Sequence, residues 1–445
     1  MQGQKKINQS KRHTGISPVS LFICLFILLP AIPFKATAQS AKNRSGTASA
    51  YETGIYKNQF KAAGYSRKAI KTKLDKAYKD LFEGPDRIYF EVGDSMAYVS
   101  DLKNHDARTE GLSYGMMIAV QLNKKEVFDR IWRWSKKYLQ HQDGPRQGYF
   151  AWSINPKTLK KNAEGSASDG ELYYITSLLF ASNRWGNNTG IDYYAEARHI
   201  LDAMWKKDGT GNIYNLINTA HKQISFVPEG NAYTWTDPSY HLPAFYEIWA
   251  LYAKDGHEQF YKDCADTARA FLHRACHPVT GLNTDYAEFS GAPHPTKWMP
   301  QAFRYDSWRV PMNIAMDYTW FGKDKAWQED YATRMQHFFR SKGISIFEDQ
   351  FNTDGTKPEF ILQAGGFKKL RHSIGLVSTV TTTSMINSTI DKSSRDFIHE
   401  LWKSKLEPNE DGYFDPYYDG LMYLFSLMHL SGHYRIITPN NKITN

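Results

Sequence analysis

The stretch DARTEGLSYGMMIAVQL, Asp106 to Leu122, sets a carboxylate, Glu110, against a glycine directly ahead of an apolar run. The run reads as a core helix, so an acidic side chain stands at its buried end. An acid in a first helical turn offsets the helix dipole, and that alone would account for it. The other helices decide between this reading and a chemical one.

Helical periodicity recurs along the chain, and alternating strand patterns are scarce. Arg67–Phe82 places Ile70, Leu74, Ala77, Tyr78 and Leu81 on one face. Gly111–Leu122, Glu126–Leu139, Gly170–Arg184 and Tyr193–Trp205 follow. Asp237 as N-cap and Pro238 at the first helical position predict a helix over Pro238–Ala253. His257–Ala275, Pro311–Trp320, Lys325–Arg340, Ser373–Met385, Ser394–Trp402 and Asp419–Leu430 bring the number to twelve. No linker rich in Pro, Gly or Ser divides them, so residues 61–436 read as one domain. Residues 39–60 read as a flexible lead-in and 437–445 as a tail. The loops Lys206–Asp237 and His277–Tyr305 are long, which in a compact domain points to function.

The unusual residues fall by parity. Glu110 precedes the second helix, and SASDGELYY, with Asp169, opens the fourth. WTDPSYHLP, with Asp237 and Tyr240, opens the sixth, and FRYDSWRVPMN, with Asp306 and Arg309, opens the eighth. LRHSIGL, with His372, opens the tenth; YFDPYYDGL, with Asp415, Tyr417 and Tyr418, opens the twelfth. In an up-and-down array, alternate helices run the same way and their N-termini share one face. Twelve such helices can close into two concentric rings, odd outside and even inside. The polar and aromatic starts then converge on one mouth, a pattern that capping alone does not produce.

The bulk composition bounds the function. Aromatic residues make up 15% of the 445, more flat side chains than a core requires. Lys5, Lys6, Lys11 and Arg12 precede the apolar VSLFICLFILLPAIPF, and ATAQ offers a cleavage point before Gln39, so residues 1–38 read as an export signal. These residues hold five Lys/Arg and no Asp/Glu, and their removal takes the formal charge from +9 to +4. With no basic stripe, nucleic acid is not an expected partner. Nor is a membrane, once the signal is gone. Cys264 and Cys276 read as two buried free thiols, and no Cys/His cluster suggests a metal. No cofactor is called for, and a monomer is expected.

Carboxylates and aromatics, without metal ligands or a Ser–His–Asp set, suit sugars: rings stack on pyranose faces, and a pair of acids cleaves the glycosidic bond. Glu110 is the candidate proton donor. Its helix N-terminus favours the ionised form, so burial or nearby carboxylates such as Asp169 and Asp306 must hold the proton on. At this point TEGLSYGMM, SDGELYYITSLLFASNRWG, DPSYHLPAFYEIWA and YDSWRVPMN together resemble glycoside hydrolase family 8, over roughly Glu91 to Gly432. The resemblance implies an all-α (α/α)6 barrel and inverting hydrolysis. It implies Glu110 as general acid, Asp306 as general base and Asp169 as the residue that holds the central sugar distorted. It further implies Trp152, Tyr240, Tyr305, Arg309, His372, Tyr417 and Tyr418 around the sugar.

The wording looks nearest to the xylan-directed branch, which includes enzymes releasing xylose from the reducing end. In that branch a Leu-His-Pro loop closes the aglycone side; here the matching KKLRHSIGL keeps His372 but changes its flanks. A hydrogen-bonding role at the helix start is an equal reading for His372. The implied substrate is a xylo-oligosaccharide or xylan. A β-1,4-glucanase or chitosanase of the same family is the alternative. A non-catalytic oligosaccharide-binding protein is a third reading, which would not need both Glu110 and Asp306.

Overall fold

Burial follows helix parity. The computed structural model describes residues 48–297, 300–362, 369–386, 391–410 and 412–439; the expected export signal lies outside these residues. We number the long helices α1 (Arg67–Phe82), α2 (Thr109–Gln121), α3 (Lys125–Tyr138) and α4 (Ser168–Trp185). They continue as α5 (Tyr193–Trp205), α6 (Pro243–Tyr252), α7 (Glu258–Ala275) and α8 (Arg309–Trp320). The last are α9 (Lys325–Ser341), α10 (Ile374–Thr381), α11 (Lys392–Lys403) and α12 (Tyr418–Leu430). The odd helices carry one buried stripe. In α1, Ile70, Leu74, Ala77, Tyr78, Leu81 and Phe82 are buried while Lys68, Lys71, Lys76 and Lys79 face solvent. The even helices are buried nearly all round: every residue of α12, and every residue of α2 except Glu110.

That difference sorts the helices into two rings. Neighbouring even helices touch in the order α2, α4, α6, α8, α10, α12, and α12 returns to α2. Each odd helix from α3 onward packs on the even helix before it, and α1 packs on α12. The architecture is the (α/α)6 barrel. Fully buried side chains such as Leu112, Phe128, Leu178 and Phe425 fill it, each contributing about 1.5–3 kcal/mol of burial. At the C-terminal ends of the even helices, Gln121 pairs with the Arg435 backbone, Trp320 donates to Tyr434 O, and Asn183 donates to Ile437 O. The chain after α12 thus closes that end and leaves the helix starts as the open face.

Three sequence expectations need correction. Residues 48–60 are docked, where flexibility was expected. Ser49 and Glu52 form a capping box on a four-residue helix, Ala50–Thr53, and a second short helix, Gln59–Ala62, buries Phe60. Gln59 donates to Ser384 O and the Tyr56 hydroxyl accepts from Ile436 N, so this segment is stitched to the barrel. Ile437, expected in the tail, is buried to 1% exposure. The helix expected over Pro238–Ala253 is broken: Pro238–Tyr240 forms a 3-10 turn and the α-helix starts afresh at Pro243. The cause is Pro243, whose ring disfavours the helical conformation at Leu242 and occupies the first helical position itself.

The long loops are held by short antiparallel pairs. Trp235–Thr236 pairs with Ala287–Glu288, joining the two loops expected to be functional. Ala107–Arg108 pairs with Ser153–Ile154 and runs straight into α2.

Candidate active site

The opening carboxylate sits where two helix starts come too close for a side chain between them. A Cβ on Gly111 would overlap the Tyr417 ring, and one on Gly170 would meet the Thr109 side chain. These two glycines let α12 and α4 approach the first turn of α2. The Tyr417 hydroxyl then donates to Glu110 Oε1 at 2.9 Å, and Asp169, which precedes Gly170, arrives beside it.

One buried arginine gathers the acids. Arg309 Nη1 donates to Glu110 Oε2, Asp169 Oδ2 and the Tyr114 hydroxyl, each at 2.9 Å. Its Nη2 lies 3.0 Å from Asp306 Oδ1, one turn earlier in the chain. Asp237 Oδ2 faces the same nitrogen at 3.9 Å. Glu110 and Asp306 therefore pair with different nitrogens of one guanidinium, which limits these two oxygens to about 8 Å apart. Arg309 is 3% exposed at its side chain and Asp306 is 32% exposed, so the cluster is buried on one side and open at Asp306.

Four carboxyls around one guanidinium cannot all ionise out of water. Burial pushes Glu110 up to about 7, with Asp169 and Asp306 adding to the shift and Arg309 and Arg108 opposing it. Burial also raises Asp169, against the pull of Arg309, and raises Asp237 well above its ordinary value, reinforced by Asp306. The requirement read from the sequence, that something raise Glu110 against its helix dipole, is met first by burial and then by Asp169 and Asp306. The site can thus offer one neutral carboxyl as a proton donor beside a more exposed one.

Aromatic rings flank the acids. Tyr240 lies 5.4 Å from the Arg309 guanidinium carbon, and Phe226, Trp235 and His294 continue the stack away from it. Trp152 stands over Arg108 at 5.5 Å, and its carbonyl accepts from Thr109 N at the start of α2. Tyr305 stacks on Trp308, and its carbonyl accepts from the Tyr418 hydroxyl at 2.7 Å. Nine of the ten expected residues therefore join the Arg309 cluster directly or through one neighbour. His372 stands apart: its Nδ1 meets Phe347 O at 2.9 Å and its Nε2 faces Glu400 at 4.0 Å. The cap of α10 is Ser373, which also donates to Asp419.

Sequence reading missed Tyr114, Arg108 and the cluster role of Asp237. Tyr114 lies one turn after Glu110 on a buried helix, and that spacing was a usable signal. Asp237 was read as a cap, and it is one, accepting from Ser239 N at 2.7 Å; its second oxygen is what reaches toward Arg309. The buried pair Asp285–Arg304 behind Asp306 left no sequence signal, because it joins a loop to a turn 19 residues on. Cys264 and Cys276 are free and buried, as expected.

Proton donation by one acid and water activation by another is the chemistry of glycosidic-bond hydrolysis. On the helix-start face of an (α/α)6 barrel, it defines a glycoside hydrolase. The chain belongs to glycosyl hydrolases family 8, whose family model matches residues 98–389. It is 38% identical over 394 residues to the reducing-end xylose-releasing exo-oligoxylanase Rex8A of Paenibacillus barcinonensis, covering 87% of this chain and 98% of that one. It is 36% identical over 402 residues to a reducing-end xylose-releasing exo-oligoxylanase of Halalkalibacterium halodurans, covering 89% and 98%. The structure of Rex8A complexed with xylose matches with a TM-score of 0.79 at 37% identity, covering 88% of this chain and 100% of that one.

Proposed function

We propose that this protein is an exported, monomeric, inverting hydrolase of β-1,4-linked xylo-oligosaccharides that releases xylose from the reducing end. Glu110 is the general acid, Asp306 the general base, and Asp169 the residue that holds the sugar distorted at the bond to be cut. Trp152, Tyr240, Tyr305, Tyr417 and Arg309 surround that sugar. The observation that carries the reading is the geometry: Glu110, its carboxyl pushed up by burial, and the more exposed Asp306 meet different nitrogens of a single guanidinium. An inverting pair stands roughly 6.5–9.5 Å apart, to leave space for a water, and the upper limit set by Arg309 falls within that range. The substrate follows from the exo-oligoxylanases to which the chain is similar over nearly its whole described length. Among the described residues no helix is long and apolar enough to cross a membrane, which suits a chain that leaves its signal behind.

The test is the product pattern from xylotriose and xylotetraose, each free and with a reduced end. Release of xylose from the free oligomers only, as the α-anomer, is the expected result. Cleavage of cello-oligomers or chitosan in preference would replace the substrate with that of the alternative glucanase or chitosanase. Binding with no hydrolysis on long incubation would overturn the catalytic reading.

A further inference from the structure

Asp306 follows a strained residue. Tyr305 has φ +35°, in the left-handed region that a bulky side chain occupies only when its surroundings impose it. Arg304 before it is extended, Tyr305–Trp308 forms a tight 3-10 turn, and Arg309 begins α8. The side chain of Asp306 reaches Arg309 from inside this turn, so the kink at Tyr305 sets its direction.

Contacts on two sides hold the kink, and none is part of the acid–base pair. On one side, Arg304 is fully buried and donates through Nε to Asp285 Oδ2 at 2.8 Å. Its terminal nitrogens are anchored on Pro300 O and Phe360 O. Ser307, just past Asp306, points its hydroxyl at the other Asp285 oxygen at 3.5 Å. One carboxyl thus grips the chain on both sides of Asp306. On the other side, the Tyr418 hydroxyl donates to the Tyr305 carbonyl at 2.7 Å, and the Tyr305 ring stacks on Trp308 at 5.0 Å. Trp308 is itself anchored by its indole N–H on Asp349 O.

We propose that Asp285, Arg304 and Tyr418 are positioning residues for Asp306, holding Tyr305 in the left-handed turn from which the base reaches the cleft. This rests on Asp306 being the base. Tyr418 accordingly acts through its hydroxyl on backbone, in place of a sugar contact.

The test compares Tyr418→Phe and Asp285→Ala with Asp306→Asn and Glu110→Ala. Each is measured on xylotriose and on β-xylobiosyl fluoride, whose leaving fluoride needs little protonation. A base defect persists on the fluoride and an acid defect is relieved. Both positioning variants are expected to lose kcat by roughly tenfold or more on both substrates, the scale of a misplaced catalytic group, with KM nearly unchanged. Placed on Tyr305→Gly, where glycine adopts the turn without strain, Tyr418→Phe is expected to cost less than about threefold further. Near-normal kcat in Tyr418→Phe, or recovery of either variant on the fluoride, would overturn the proposal while leaving Asp306 as base. Full turnover by Asp306→Asn would remove both. If Asp285→Ala does not fold, Tyr418→Phe, which loses one hydroxyl, still decides the matter.

Discussion

Replacing Asp169 by Asn should lower the pH at which the enzyme loses its acid. Glu110 and Asp169 accept from the same nitrogen of Arg309 at 2.9 Å each, so these oxygens are at most about 5.8 Å apart. With an effective dielectric constant near 20, two unit charges at that distance repel by about 3 kcal/mol, or roughly two pKa units. Burial raises Asp169 as well, and a downward shift of Glu110 by about one to two units is expected. The sign is fixed twice over: the variant removes a negative neighbour and leaves Arg309 more available to Glu110, and both favour the ionised carboxylate. The assay is the pH profile of kcat/KM on xylotriose, whose alkaline limb reports the acid in the free enzyme. In the parent the limb should fall near the value of about 7 to which Glu110 is pushed, and in Asp169→Asn it should move to lower pH. A limb that stays in place, or moves up, would refute the idea that crowded carboxylates keep Glu110 protonated.

Glu110→Gln keeps the size of the side chain and removes its titratable proton, so turnover of xylotriose should fall by about 10²–10⁴-fold, measured as kcat. A substrate with a phenolate leaving group should recover much of that loss. Gly111→Ala should displace the Tyr417 ring, which is 2% exposed and has little room to move; kcat should fall and the melting temperature drop by an overpacking cost of about 1–3 kcal/mol. Glu171 is fully buried, with one oxygen on Phe150 N, and burial pushes its carboxyl up to about 8 from 4.5. The folded state keeps this proton after the unfolded chain has lost it, so the stabilisation is complete below pH 4.5 and is lost as pH rises toward 8. Glu171→Gln should therefore flatten the decline in melting temperature between pH 5 and 8, and an unchanged slope would count against a proton held there.

The rings were legible in the sequence because helix burial is written in composition. α12 is YDGLMYLFSLMHL, apolar nearly throughout, while α1 is RKAIKTKLDKAYKDLF, with one stripe. Convergence on one mouth followed from the up-and-down alternation of helix direction. What stayed hidden was tertiary pairing. Arg304 and Asp285 are unremarkable in sequence until the fold brings them together at 2.8 Å inside the protein. Residues 48–60 looked flexible because SGTASAYETG is small and polar. Their order comes from partners such as Ser384 and Ile436, more than 300 residues away. The break before α6 was local and readable: a second proline, Pro243, follows Pro238 by five residues.

Acid followed by glycine marks three even-helix starts: Glu110–Gly111, Asp169–Gly170 and Asp419–Gly420. Closing six helices into a ring forces their first turns together: Gly111 and Gly170 admit Tyr417 and Thr109 from neighbouring helix starts, while Gly420 makes room for Leu81 of α1. The same crowding brings acids with like charge to one place, each favoured singly by its own helix dipole and disfavoured together. At α2, α4 and α8 the conflict is relieved by Arg309 and by the raised carboxyl of Glu110. At α12 Asp419 accepts from Ser373 at 2.7 Å, and burial with Asp415 pushes it up to about 7. Burial and crowding therefore raise carboxyls at this face generally; what singles out Glu110 is an arginine shared with a solvent-facing carboxylate. Moving the arginine should matter more than weakening it. Arg309→Lys keeps a positive charge and loses the fork that spans Glu110 and Asp306, so kcat should fall by more than tenfold while the alkaline limb shifts by less than in Asp169→Asn. A lysine variant with near-parent kcat would mean that charge alone, without the fork, aligns the two acids.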